Sequence, residues 1–311
     1  MKSTDKPYLI VLIGPTAVGK TAVAISLAKW LNTEIVSADS RQFYREMDIG
    51  TAKPTKKEQN TVPHHLVDFL SIRQPYDVKT FEKDALLELG EIFARKPFAI
   101  ATGGSGLYIK TLCEGIDDIP EVNEEVRKRL QERLENEGLE KLVGELKQKD
   151  PVYCGQADLQ NPRRVLRAME IIAITGEPYS HFRKQQHTAK RPFNILKIGL
   201  YRERERLYER INQRVDQMIA QGLVEEARRL YPFRNHNALQ TVGYQEVFPY
   251  LEGAYDLEEA IRLIKRNTRR FAKRQLTWFR RDDEIRWFDA DQKPSELLDS
   301  ICTYLARELQ L

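Results

Sequence analysis

The chain has 311 residues, 41% hydrophobic and 31% charged, with a formal net charge of +4. That composition fits one large domain, or a main domain with an insertion, beneath a well-solvated surface. It contains no apolar run near the ~20 residues of a membrane span. Its three cysteines (Cys113, Cys154, Cys302) lie far apart in no metal-ligand spacing, which argues against disulfides and structural zinc and for a cytoplasmic setting.

Residues 7–13 form a continuous apolar strand that runs straight into GPTAVGKT, and residues 21–31 read as an amphipathic helix. The apolar start has no small-residue cleavage site, so it reads as a strand and a signal peptide is not expected. Glycine, four residues, then Gly-Lys-Thr is the P-loop pattern. In such a loop Gly14 and Gly19 let the backbone around Pro15, Thr16, Ala17 and Val18 converge on phosphate oxygens at a helix N-terminus. Lys20 brings a compact positive charge to the outer phosphate, and the Thr21 hydroxyl can ligate Mg²⁺. The motif predicts a ligand with two or more phosphates and does not say which.

Residues 34–40, 65–70 and 97–104 read as further strands, with a helix over 78–94. This alternation predicts an α/β fold: a P-loop NTPase-like parallel sheet flanked by helices. Ligands bind beyond the carboxyl ends of such strands. Three strand ends therefore matter: the P-loop, Ala38-Asp39-Ser40-Arg41, and Thr102-Gly103-Gly104-Ser105-Gly106. Asp39 fits three roles there: a base taking a proton from an attacking group, a Mg²⁺ ligand, or an Asx cap on the following turn. The base is preferred, because IVSA is shorter than the run before a typical Walker-B acid. Thr102 and Ser105 offer hydroxyls to a substrate arriving opposite the P-loop. His64 and His65 are adjacent on a strand and point to opposite faces, so a shared metal ion is not expected.

From about residue 115 the texture becomes charge-rich and helical. In NPRRVLRAMEIIAITGEP, Asn161 is placed as an N-cap, Pro162 at the first helical position and Gly176 as a C-cap. Residues 115–190 are expected to form a helical insertion that emerges from the core domain, 1–114 plus 191–311. The polar, basic 181–192 then leads back to a strand over 193–201. The remainder is mostly helical, with a short strand near 285–288.

Cations cluster in three places. Arg163, Arg164 and Arg167 project from the insertion's helix. Arg204, Arg210 and Arg214 form a row behind the late strand, either closing over phosphates or paired with Glu203, Glu205 and Glu209. Residues 262–281, RLIKRNTRRFAKRQLTWFRR, hold nine basic residues and no acid. At helical spacing they make one stripe, with Ile261, Ile264, Phe271 and Trp278 assigned to packing. Such a stripe is either a solvated face or a grip for a polyanion, and nucleic acid is the preferred partner.

The ordered set GPTAVGKT, SADSRQFYREMDIGTAKP, PHHLVDFL, TGGSGLYIKTL, NPRRVLRAMEI, TVGYQEV and RRFAKRQLTWFR resembles bacterial-type tRNA dimethylallyltransferases across nearly the whole chain. Ser105 stands where many members carry Thr, and no C-terminal zinc finger is present. The resemblance implies transfer of a dimethylallyl group from dimethylallyl diphosphate to the exocyclic amine of the adenosine 3′ of the anticodon. It implies Asp39, Lys20 and Thr102 at the chemistry and Mg²⁺ as cofactor, with residues 14–21, Arg204, Arg210 and Arg214 around the diphosphate. Asp39, Ser40, Arg41, Gln42, Ser105, Arg127, Arg163, Arg164, Val165, Leu166 and Arg167 match positions expected to touch tRNA. Arg269, Arg270, Lys273 and Arg274 would grip the anticodon arm, and a monomer is expected. A P-loop kinase of a small metabolite or nucleoside is the main rival; a nucleotide-sensing RNA-binding regulator is the other.

Overall fold

In the computed structural model, which describes residues 6–117, 119–183 and 189–311, apolar strands alternate with helices to build one six-stranded sheet. The strands are β1 (Tyr8–Ile13), β2 (Ile35–Ser37), β3 (His64–His65), β4 (Phe98–Gly103), β5 (Asn194–Tyr201) and β6 (Arg286–Asp289). All pair in parallel, in the order β3-β2-β4-β1-β5-β6. The order reverses direction across β1, so the crevice above its carboxyl end is the topological switch point. The helices, in chain order, are α1 (Lys20–Trp30), α2 (Lys56–Thr61), α3 (Val78–Phe93), α4 (Gly106–Glu114), α5 (Glu124–Glu137), α6 (Leu139–Lys149), α7 (Pro151–Cys154), α8 (Pro162–Thr175), α9 (Tyr179–Phe182), α10 (Arg204–Ala220), α11 (Leu223–Leu230), α12 (Tyr244–Leu251), α13 (Leu257–Phe279) and α14 (Pro294–Leu309).

The chain divides into two units, Met1–Cys113 with Lys190–Leu311, and Glu114–Ala189. In the first, strand alternation buries Ile10 and Leu12 on one sheet face against α1, α10 and α14, and Leu9 and Val11 on the other against α3 and α4. A third cluster joins α10, α11, α12 and α13 to Tyr44 and Met47. In the second unit, α5, α6 and α8 pack around Leu130, Leu142, Leu146 and Val165. There Asn161 Oδ1 accepts from the Arg163 N–H at 3.1 Å, Pro162 opens α8, and Gly176 ends it at φ 74°. The expected basic segment 181–192 includes residues 184–188, which lie outside the described residues.

Two strands are shorter than the sequence suggests. β2 stops at Ser37, leaving Asp39 in the turn beyond it. The apolar run 65–70 is not a strand: Leu66 and Asp68 sit at φ 57° and 62°, so the chain leaves the extended conformation after His65. The Asp68 carboxylate then takes the Lys53 ammonium at 2.8 Å and that of Lys56, and those ion pairs hold the turn. His64 and His65 do turn to different partners, the Val62 carbonyl for one and Glu34 and Glu88 for the other.

Candidate active site

The P-loop lies between β1 and α1. A Cβ at Gly14 would stand 2.6 Å from the Leu200 carbonyl oxygen of β5, and Gly19 caps α1 at φ 113°, so neither position accepts a side chain without strain. Ala17 at the loop's tip is itself in the left-handed region, φ 64°, a local strain of the kind held at functional sites. The Lys20 ammonium donates to the Gly14 and Pro15 carbonyls, both at 2.9 Å. Burial pushes its pKa down to about 8; Asp39 opposes that shift and Arg214 adds to it.

Arginines close the outer side of the loop. Arg210 Nε donates to the Ala17 carbonyl at 2.9 Å, and Arg214 Nη1 reaches 3.5 Å from the Thr16 hydroxyl. Burial lowers the Arg214 pKa, against the pull of Asp39. Arg204 does not join them: it is exposed at the start of α10, and its guanidinium lies 5.3 Å over the Tyr208 ring. Its expected place is taken by Arg202, whose Nε donates to the Val18 carbonyl at 3.0 Å while Nη1 donates to Asp291 at 2.7 Å.

Opposite the loop, Asp39 Oδ1 accepts from the Arg41 N–H at 3.0 Å, an Asx turn that fixes the carboxylate beside Lys20 and Arg214. The Ser105 Oγ accepts the Ser40 N–H at 3.0 Å and lies 3.1 Å from the Ser40 hydroxyl, which pins the turn after β4 to the turn after β2. Thr102 gives its proton to the Leu12 carbonyl at 3.0 Å, so toward any further partner its oxygen can act only as an acceptor. The Gln42 amide is committed inward, donating to the Ala52 carbonyl at 3.2 Å and accepting from Ser37 at 3.3 Å.

Two residues central to this arrangement are given no role by the sequence reading. Gln275 of α13, 6% exposed, accepts the Thr16 N–H through Oε1 at 2.8 Å and donates through Nε2 to the Gly104 carbonyl at 2.8 Å. One side chain thereby ties the P-loop to the turn after β4. Glu226 of α11, 2% exposed, accepts the N–H groups of Asp48, Ile49 and Gly50 at 2.9–3.0 Å and the Tyr244 hydroxyl at 2.7 Å. Burial and that carboxylate together drive the Tyr244 pKa far up. The anchored segment helps line a cavity of about 550 Å³ that also meets Thr21, Arg214, Pro54 and Met218.

The long basic run divides. Lys265 pairs with Asp216 at 2.6 Å, Arg269 donates to Asn212 at 2.7 Å and lies over Tyr208, and Arg262 pairs with Glu259. Lys265 and Arg269 thus bind α13 to α10. Arg270, Lys273 and Arg274 stay on the exposed face. Phe271 and Trp278, expected to pack, are 38% and 40% exposed; Ile264 packs as expected. In the second unit Arg127, Arg163 and Arg164 are exposed, and Arg167 is 3.5 Å from Glu170. Val165, expected at the tRNA surface, is fully buried and Leu166 leans on the same cluster, because Val165, Ala168, Met169 and Ile172 share the apolar side of α8.

A family model described as IPP transferase matches residues 42–282, and one described as isopentenyl transferase matches residues 7–74. The chain is 52% identical over 294 residues to a tRNA dimethylallyltransferase of Christiangramia forsetii, covering 94% of this chain and 97% of that one. It is 41% identical to a tRNA isopentenylpyrophosphate transferase of Bacillus halodurans whose crystal structure superposes with a TM-score of 0.73, covering 98% and 97% of the two chains. A eukaryotic dimethylallyltransferase, captured acting on tRNA, superposes with a TM-score of 0.80 at 28% identity, covering 96% of this chain and 77% of that one. The chain belongs to the IPP transferase family.

Proposed function

We infer that this protein is a tRNA dimethylallyltransferase, moving a dimethylallyl group from dimethylallyl diphosphate to the exocyclic amine of the adenosine 3′ of the anticodon and releasing diphosphate. The observation that carries the mechanism is Asp39, held by its Asx turn beside Lys20 and Arg214 at the mouth of the P-loop. A kinase would use a similar loop and carboxylate, but the family match disfavours that reading.

The adenine amine is a poor nucleophile because its lone pair is delocalised into the ring. Its nitrogen attacks the first carbon of the prenyl chain, the carbon–oxygen bond to the diphosphate breaks, and the amine proton passes to the Asp39 carboxylate. A positioned base of this kind contributes roughly 10²–10⁴ in rate. Charge accumulating on the departing diphosphate is met by Lys20, by loop N–H groups and by Arg214, fixed before the reaction and shielded from water. Thr102, its proton given to the Leu12 carbonyl, would accept from the amine, and the cavity beside Thr21 would admit the diphosphate substrate. The described residues contain no group of three His, Cys, Asp or Glu able to cage a metal. The Thr21 hydroxyl, at the start of α1 and on the wall of the cavity, would hold Mg²⁺ together with the bound diphosphate. When bound it would neutralise charge on the leaving group.

The reactive adenosine must leave its stack to reach this crevice. Asp39, Ser40, Arg41 and Ser105 would meet the extruded nucleotide. Arg270, Lys273 and Arg274, with Arg127, Arg163 and Arg164 of the second unit, would contact phosphates of the anticodon arm. The protein would act as a cytoplasmic monomer. Incubation of the purified protein with labelled dimethylallyl diphosphate and unmodified tRNA tests the reading: label is expected in the RNA. Phosphoryl transfer from ATP without alkylation contradicts it.

A further inference from the structure

A loop that offers N–H groups to an anion turns its carbonyls the other way. In the P-loop those carbonyls are held by cations: Gly14 and Pro15 by Lys20, Ala17 by Arg210. The Val18 carbonyl, the last before Gly19, is held at 3.0 Å by Arg202 Nε, a group with no part in the chemistry described so far. No peptide bond among the described residues is cis, and the C=O and N–H of a trans peptide point in opposite directions. The Val18 C=O and the Gly19 N–H belong to one peptide. A guanidinium that holds the first on the loop's outer side therefore fixes the second on its inner side. Gly19, at φ 113°, has the least restricted backbone of any residue type, so the peptide beside it gains most from an outside hold.

Arg202 is itself held, by a residue from the neighbouring strand. β5 ends at Tyr201, which lies in register with Asp289 at the end of β6, and the Ala290 N–H donates to the Tyr201 carbonyl at 2.8 Å. Arg202 and Asp291 thus leave adjacent parallel strands together at the sheet's carboxyl edge. The Asp291 side chain is 8% exposed. Its Oδ1 accepts from Arg202 Nη1 at 2.7 Å and its Oδ2 from the Glu203 N–H at 2.8 Å, while its own N–H is bonded to Asp289 at 2.8 Å. Burial works to raise the Asp291 pKa, but the Glu203 N–H and the Arg202 guanidinium hold it below the usual carboxylate value. The guanidinium is stretched between a fixed carboxylate and the Val18 carbonyl, which leaves it one orientation.

We propose that Arg202, set by Asp291, is a positioning residue for the diphosphate: it holds the Val18 carbonyl outward so that the Gly19 N–H meets a phosphate oxygen. This rests on the reading above that the P-loop binds a diphosphate. Net charge is not the agent, because the Asp291 carboxylate neutralises the guanidinium at 2.7 Å.

The test compares Arg202→Ala, Asp291→Asn and Arg206→Ala with the wild-type protein, reading the affinity for inorganic diphosphate by titration calorimetry. Arg206 is the control: its side chain is 64% exposed, lies 3.9 Å from Asp291 and donates to no P-loop carbonyl. Arg202→Ala should bind about tenfold more weakly, the loss of a hydrogen bond from a charged donor. Asp291→Asn keeps the shape and the positive charge but frees the guanidinium, and should bind about fivefold more weakly. A loop that attracts anions by charge alone would instead bind more tightly once that carboxylate is neutral. Arg206→Ala removes the same charge as Arg202→Ala and should stay within about twofold of wild type. Affinity for an unmodified anticodon stem-loop should be unchanged in all three. Unchanged affinity in Arg202→Ala, tighter binding by Asp291→Asn, or equal losses in Arg202→Ala and Arg206→Ala overturn the positioning role. A parallel loss of stem-loop affinity and melting temperature makes the pair a structural one and also overturns it. Should Arg202→Ala fail to fold, the near-isosteric Asp291→Asn decides by the sign of its change. A wild-type protein that binds no inorganic diphosphate removes the reading on which the proposal rests, and the proposal with it.

Discussion

Lys20 is the group through which pH should control binding of the prenyl diphosphate. In the folded protein burial holds its pKa at about 8, with Arg214 adding to the depression and Asp39 opposing it. A bound diphosphate supplies counter-charge and returns the ammonium toward its ordinary value of about 10.4. The complex then holds more protons than the free protein, so affinity is complete below pH 8 and is lost as pH rises through 8. At pH 9 about ten in eleven free proteins carry neutral Lys20, so the apparent affinity should be roughly tenfold weaker than at pH 7, about 1.4 kcal/mol. Binding at pH 9 should take up about 0.9 proton. The ligand's own last ionisation, near pH 6 for a phosphate monoester, is complete in this range. Titration calorimetry in buffers of different ionisation enthalpy measures both quantities. Lys20→Arg, whose guanidinium stays charged, should bind with no such pH dependence. Wild-type affinity that is flat between pH 7 and 9, or an equal slope in Lys20→Arg, refutes the reasoning.

Asp39→Ala should cut turnover by roughly 10²–10⁴ and leave tRNA affinity nearly intact; a collapse of tRNA binding with preserved turnover would reverse its role. Gln275→Ala strands the Thr16 N–H and the Gly104 carbonyl, and should raise the KM for prenyl diphosphate by about tenfold, from ~1–3 kcal/mol of weakened loop fixation. An unchanged KM argues against that tie. Glu226→Ala leaves three N–H groups and the buried Tyr244 hydroxyl without their acceptor, so about 3 kcal/mol of stability should go, read in a denaturant titration. Replacing Arg270, Lys273 and Arg274 by Gln should flatten the salt dependence of tRNA binding by ~0.7 log units for each phosphate no longer neutralised. The same change at Lys265 and Arg269 should lower the melting temperature and spare the slope, because those cations bind α10.

How much of this is legible in the sequence depends on how local the cause is. The P-loop and the caps of α8 are set by consecutive residues, and both read correctly in linear order. Helix phase would also have buried Val165, since it shares a side with Ala168, Met169 and Ile172. Long-range partners leave no such mark. Arg202, not Arg204, reaches the loop, and its choice is fixed by Asp291, 89 residues away. In a stretch with an arginine at almost every second position, nothing local selects between them. Gln275 is a neutral residue inside a basic run, and its partner Thr16 is 259 positions distant. The run 65–70 looks like a strand by its apolar content, and only the left-handed Leu66 and Asp68, held by Lys53 and Lys56, reveal a turn. Phe271 and Trp278 read as packing residues because aromatics usually are buried, yet both fall at the edge of the helix's apolar side.

The central claim is that a carbon chain, and not a phosphoryl group, is transferred from a ligand in the P-loop. Mass spectrometry of tRNA nucleosides from cells with and without the gene tests it most directly. The account predicts an adenosine carrying one dimethylallyl group on its exocyclic amine, next to the anticodon, present with the gene and absent without it. Identical nucleoside profiles in the two strains, together with prenyl diphosphate left intact by the purified protein, would contradict it.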